Sequence, residues 1–419
     1  MPATKTLPVS SPRILTATAH AAFVPVGIVT VLLGPMLPWL SARWGLNYSQ
    51  AGSLFTDQFA ASTLGVALSG LLASRRGYRF AINVGLLLMA GAVAVLPFGS
   101  RLVGWTCVAV YGFGFGVSIP AANLLVAEVN PERQSAALNL LNFSWSVGAV
   151  ACPFLVAAAI RIKKLPLFLG LLGACMLVVV AGIGATMSRI AEPAADNTKK
   201  APSSDPGPRN ILLQKLWSFL NQCRTDHLFQ VLCPLFFLYV GVENAVGGWV
   251  ASYAKSLNKG SAALAVMTSS FFYAALMLGR WLAPLFLRTI ADFKLARAGI
   301  LLACLGVVGL VSTSTLPGIM VSAAVTGFGL SSVYPITVAL LSRQFGAAAS
   351  RVGSTMFVMA SLGGASLPWL VGYCSTLFGA VRAGLLVPLA AAALMLALYF
   401  AKWKPYAIEP KNNLNLDAV

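Results

Sequence analysis

Charge is what this chain lacks. Of 419 residues only 11 are Asp or Glu, and Asp, Glu, Lys and Arg together make 10%, where a soluble domain carries about a quarter. Histidine occurs twice, as His20 and His227, and the seven cysteines are dispersed with no CxxC pair. These absences argue against an ordinary cytosolic enzyme, a disulfide framework and a metal site. The chain is therefore expected to be no enzyme and to hold no metal and no cofactor. Disorder is excluded by the opposite excess, since 58% of residues are apolar. That share is roughly 240 side chains, enough for about twelve membrane-spanning helices of about 20 residues each.

Long apolar runs broken by short polar pieces give those twelve spans: 14–40, 49–73, 80–98, 102–127, 135–160, 165–187, 228–253, 262–287, 295–313, 317–341, 352–377 and 381–401. The run after the Met1–Pro12 tail is too long for the core of a signal peptide. The net charge of +18 would suit a nucleic-acid partner only if it formed a solvated basic face. Sorted by side, twenty basic residues fall with the termini, eight fall in the opposite loops, and Arg280 lies within a span. The positive-inside rule then places both termini in the cytoplasm and turns the charge into topology. Residues 189–227 form the one long polar stretch, Pro- and Ser-rich at first and then, over Ile211–Cys223, compatible with a short amphipathic helix or an extension of the next span. They divide the chain into a six-helix bundle over 1–188, a cytoplasmic linker, and a second six-helix bundle with a cytoplasmic tail over 228–419.

The two bundles echo each other at an offset of 215. Gly112-Phe113-Gly114 with Pro120 matches Gly327-Phe328-Gly329 with Pro335, and the same shift carries Gly148 onto Gly363, Pro153 onto Pro368 and Leu155-Val156 onto Leu370-Val371. A duplicated bundle packed through small residues implies an all-α membrane protein with two halves related by a pseudo-two-fold axis along the membrane normal, a solute site between them, and access alternated by rocking. Between the second and third spans runs GLLASRRGYR, Gly70 to Arg79. With the twelve spans and central linker, this stretch resembles the major facilitator superfamily, whose loop pattern is G-x-L-A-D-R-x-G-R/K-R/K. Gly70, Arg75, Gly77 and Arg79 are kept, while Ser74 replaces the acid and Tyr78 a basic residue. The resemblance implies that this loop latches the cytoplasmic gate, a role Arg75 and Arg79 can still serve. Tyr239–Ala254 and Pro131–Pro153 are further similar to the fucose permease branch of proton-coupled sugar symporters. The carboxylates that branch uses in its first and fourth helices have no counterpart here except Glu128, at the cytoplasmic end of the fourth span.

Three charges lie well inside spans: Asp57, Glu243 and Arg280. Intramembrane charge is costly, so such residues face the interior and are functional candidates. By helical rise, Asp57 and Glu243 fall at about the same depth in the outer half, at the level of a central cavity, where a carboxyl can take and release a proton as its surroundings change. Both are expected to couple solute to protons. Arg280, nearer the cytoplasmic end of its helix, is expected to gate, or to pack against backbone carbonyls, rather than pair with Glu243. Polar and aromatic residues at helical spacing outline a cavity: Gln58, Asn123, Asn139, Asn142 and Trp145 in the first half, and Tyr239, Asn244, Trp249, Tyr273 and Tyr334 in the second. Amides beside rings suit a polyhydroxylated solute, although interhelical hydrogen bonding is the plainer use of any one of them. The expected protein is a monomeric, proton-coupled secondary transporter of a small polar solute, a sugar for preference, in a bacterial inner membrane, although Asn47-Tyr48-Ser49 is a lone sequon in an outer loop. A drug-efflux antiporter and an organic-anion transporter remain open alternatives. Against them stand Cys152-Pro153-Phe154-Leu155, which lacks the double glycine of efflux proteins after Pro153, and the want of a second buried cation.

Overall fold

Proline decides where the first span breaks. Pro35 lacks an N–H and its ring clashes with the carbonyl four residues back, and helix α1 (Pro12–Val31) ends at that carbonyl. Helix α2 (Leu33–Trp44) continues at an angle of 43°. The computed structural model describes residues 12–130, 134–187, 227–257, 261–338 and 349–400. The first half continues with α3 (Tyr48–Arg76), α4 (Tyr78–Val95), α5 (Arg101–Val129), α6 (Gln134–Arg161) and α7 (Leu165–Met187). The second holds α8 (His227–Ser256), α9 (Ala262–Phe286), α10 (Asp292–Ser312), α11 (Leu316–Leu330), α12 (Ala349–Leu377), α13 (Val381–Gly384) and α14 (Leu386–Phe400). Pro335 repeats the device of Pro35: α11 stops at a turn over Ser331–Ser332, and a helical segment resumes over 333–338. The Met1–Pro12 tail up to residue 11, the linker before His227 with its Ile211–Cys223 candidate helix, and the tail after Phe400 lie outside the described residues.

Among the described residues nine helices are long and apolar enough to cross a membrane, and the bent α1–α2 pair makes a tenth. The other two expected spans are α3 and α12. Each is 29 residues long, but each carries too many polar side chains to pass as lipid-facing throughout. They can afford that polarity because they pack lengthwise on each other between the halves.

The repeat read from sequence is a repeat of packing. A Cβ on Gly112 would collide with the backbone of Gln58 in α3, and one on Gly327 with the backbone of Phe272 in α9. Likewise Gly148 lies against the Val24 carbonyl of α1, and Gly363 against the Phe237 carbonyl of α8. In each half, then, glycine lets the same pair of helices approach to backbone contact, as membrane helix packing favours.

We call the end carrying the turns at 45–47, 96–100 and 378–380 the outer end, following the charge distribution. There the halves close on each other. Gly34 of α2 meets the backbone of Gly247 and Gly248 in α8, and Gly52 of α3 meets Pro368 and Trp369 in α12. The Ser49 amide donates to Thr376 Oγ1 at 2.8 Å, and Thr56 Oγ1 donates to the Ala365 carbonyl at 2.8 Å. A second seam joins α6 to α9.

Candidate functional site

Tyr239 and Glu243 stand one turn apart on α8 and so share a face. Opposite them on α9, Arg280 Nη2 approaches Glu243 Oε2 at 3.7 Å and donates to the Tyr239 hydroxyl at 3.3 Å. The sequence-based expectation that these two charges would not pair is therefore corrected. Measured from the outer ends of the antiparallel α8 and α9, the two Cα atoms differ in depth by only about 7 Å, a gap that an arginine side chain spans. Both side chains are largely sequestered, Arg280 at 24% and Glu243 at 14% exposure. The Tyr334 ring, in the segment after α11, lies 5.3 Å from that of Tyr239, and Phe236 closes edge-on against Tyr334.

The first half reaches the same place. The Arg280 guanidinium lies 5.9 Å from the centre of the Trp145 ring on α6, within cation–π range. Trp145 Nε1 donates to Thr30 Oγ1 at 2.8 Å, Gln58 Nε2 donates to the Thr30 carbonyl at 3.3 Å, and the Tyr111 hydroxyl donates to Gln58 Oε1 at 3.2 Å. One polar chain thus runs from Tyr111 through Gln58, Thr30 and Trp145 to Arg280, Glu243 and Tyr239, crossing from one half to the other. Thr30 is the link that sequence reading missed. A lone threonine in an apolar helix gives no signal that separates such a bridge from an ordinary bond to its own helix, and Thr30 also makes that bond, to the Gly27 carbonyl.

The remaining candidates separate. Asn123, Asn142 and Asn244 each donate an amide hydrogen to the carbonyl four residues back, leaving their side-chain oxygens free to accept. The side chain of Asn139 lies outside the described residues. Tyr273 is buried, and its hydroxyl fits against Gly247, where a Cβ would lie 2.6 Å away. Trp249 is wholly buried, donates from Nε1 to the Pro368 carbonyl at 2.8 Å and meets Tyr48 edge-on. It therefore belongs to the outer closure rather than to the polar chain.

Asp57 does not join Glu243. It opens into a separate groove of about 650 Å³ between α3, α5 and α12, lined by Ser53, Thr56, Trp105, Leu362, Ser366 and Trp369 among others. Its Oδ2 atom is buried and has no hydrogen-bond partner among the described residues.

The loop between α3 and α4 turns at Gly77, whose φ of 85° suits glycine, and the Gly77 amide caps α3 on the Ala73 carbonyl. Gly70 and Arg75 are exposed, and Arg76 covers the Phe80 ring. Ser74, at the acid's position, donates to the Leu71 carbonyl of its own helix. Tyr78 ties this loop down, its hydroxyl donating to Glu128 in the last turn of α5. The one acid at that end of α5, facing a tyrosine where a basic residue was expected, was the signal that could have found it.

Comparison with known proteins gives these arrangements relatives. The Major Facilitator Superfamily profile matches residues 20–316. A transporter of Yersinia pestis, described only as MFS-type and uncharacterized, is 26% identical over 88% of this chain and 88% of its own length. The glucose/mannose transporter GlcP of Bacillus subtilis is 20% identical over 84% of this chain and 86% of its own. Among solved structures, the nucleoside transporter NupG superposes with a TM-score of 0.73 at 13% identity, covering 92% of this chain and 98% of that one.

Proposed function

Since the chain belongs to the major facilitator superfamily and is a multi-pass membrane transporter, we propose that it moves a sugar by alternating access, coupled to protons through Glu243. The observation that carries this reading is the position of Arg280, one cation held between a carboxylate of its own half and an aromatic ring of the other. A proton arriving on Glu243 removes the charge that holds Arg280 on the second half. The guanidinium then shifts toward Trp145 and the solute, and loss of the proton on the cytoplasmic side restores the pair. Coupling follows because Arg280 cannot serve both partners fully at once.

Sugar recognition draws on the same surroundings. Hydroxyl groups need donors and acceptors together, and C–H faces need rings. The Asn123, Asn142 and Asn244 amides supply the first, and Trp145, Tyr239 and Tyr334 the second. The glucose/mannose transporter among the relatives supports the solute class, and the fucose-permease-like stretches agree with it. The closed outer end supports reading this as a stage of the cycle that faces the cytoplasm. We place the protein, as a monomer, in a bacterial inner membrane with both termini cytoplasmic.

Proteoliposomes test this directly. Under an inward proton gradient the purified protein is expected to accumulate a hexose such as glucose, mannose or fucose. Accumulation driven only by sodium would overturn proton coupling. Movement of organic anions or cationic drugs alone would overturn the sugar assignment.

A further inference from the structure

The Asp57 groove differs from the cavity in the chemistry of its polar atoms. Ser53 Oγ donates its hydrogen to the Gln50 carbonyl, Thr56 Oγ1 to the Ala365 carbonyl and Ser366 Oγ to the Leu362 carbonyl. Each hydroxyl hydrogen is spent, so the three oxygens face the groove as acceptors. The Asp57 carboxylate adds its charge, its buried Oδ2 having no partner among the described residues, and among the described residues no basic one lines the space. Apart from the two indole N–H groups a sugar would find no hydroxyl donor to spare there, and an anion would meet the Asp57 carboxylate. Two indole rings, Trp105 and Trp369, form the walls; Trp105 already holds the Arg101 guanidinium 5.1 Å from its centre and Trp369 stacks on Tyr373, and aromatic faces of this kind attract positive charge.

The groove opens sideways. Its α12 wall belongs to a helical stripe of exposed residues, with Leu362 49%, Trp369 38%, Tyr373 46% and Leu377 65% exposed, the pattern of a face that meets lipid. Its volume of about 650 Å³ falls in the range of organic-ligand sites, about 300–1,000 Å³, and exceeds what a bare ion needs. We infer that this groove is a second site, for a lipophilic organic cation that enters from the outer leaflet and sets its charge on Asp57 between Trp105 and Trp369. An occupant would rest on the Thr56–Ala365 contact between the halves, and so favour the outer-closed state. This inference goes beyond the sugar reading and does not depend on it.

The test is equilibrium binding of radiolabelled tetraphenylphosphonium to the full-length protein in lipid nanodiscs. Saturable binding is expected, with affinity at least tenfold weaker in Asp57→Asn and in Trp369→Ala, and no competition from tetraphenylmethane, its uncharged analogue. Thermal unfolding of each variant in the same nanodiscs shows whether it is folded, and a second variant, Trp105→Ala, keeps the site testable if one of them is not. Glu243→Gln should bind the cation as the unmodified protein does. Equal affinity in Asp57→Asn, absence of saturable binding, or loss in Glu243→Gln alone would each overturn the assignment, the last by sending the cation to the polar chain.

Discussion

Asp57 and Glu243 are the same kind of residue at nearly the same depth, yet they live in different chemistry. Glu243 shares Arg280 with Trp145 of the opposite half and has Tyr239 one turn away. Asp57 faces sideways into a groove walled by tryptophan, with one oxygen unpartnered. Depth along a helix therefore identifies an unusual carboxylate but not its task. The helix face decides that, and so does the neighbour it meets. On α3 the residues either side of Asp57 are both committed, Thr56 to α12 and Gln58 to α1 and α5, which leaves Asp57 pointing between those contacts.

The largest expected effect separates the two acids. Glu243→Gln should reduce proton-driven hexose accumulation in proteoliposomes to simple equilibration while leaving exchange of labelled for unlabelled sugar partly intact. Asp57→Asn should lose less than threefold of the accumulation ratio. Equal collapse in both variants would return Asp57 to the coupling path.

Arg280→Gln comes next. Removing one partner of a sequestered pair leaves the other charge uncompensated, a cost of about 1–3 kcal/mol once partial exposure is allowed for. The apparent melting temperature should fall by several degrees, and combining Arg280→Gln with Glu243→Gln should recover most of that loss. Failure to recover would mean that Arg280 is held by Tyr239 and Trp145 and not by Glu243.

Trp145→Phe probes Arg280 from the other half. It keeps a ring for Arg280 but deletes the Nε1 bond to Thr30, about 1 kcal/mol, so the hexose KM should rise about fivefold. A larger drop in maximal rate than in KM would instead make Trp145 a moving part of the cycle. Smallest is Tyr78→Phe, which frees a third carboxylate, Glu128, at the inner end of α5. It should lower the melting temperature by a degree or two through a bond of about 1 kcal/mol, with accumulation reduced no more than twofold.

Much of the fold was legible because lipid leaves few options. Backbone polar groups must be satisfied within each helix, so apolar runs mark most of the spans. The 215-residue echo survives in Gly112 and Gly327, and in Gly148 and Gly363, because a side chain at any of them would strike a neighbouring backbone. The polarity of α3 and α12 was visible too, and its reason is their burial against each other between the halves.

The site was less legible. Buried charges announced themselves by their cost, but the pairing of Arg280 with Glu243 turned on the reach of one side chain across antiparallel helices, which residue counting along each helix cannot supply. Trp249 and Trp145 look alike in sequence, yet one closes the outer end and the other meets the cation. Thr30 and Tyr78 gave weaker signals still, since a hydroxyl that bridges helices has the same letter as one bonded to its own turn.

In this cycle the proton travels on Glu243 while Arg280 passes between the halves. Its most direct test is proton movement itself, read by a pH-sensitive dye trapped in proteoliposomes when hexose is added outside in the absence of any imposed gradient. Sugar-evoked acidification of the lumen is expected with the unmodified protein and none with Glu243→Gln, in vesicles where that variant still exchanges labelled sugar. Undiminished acidification in Glu243→Gln would contradict that cycle.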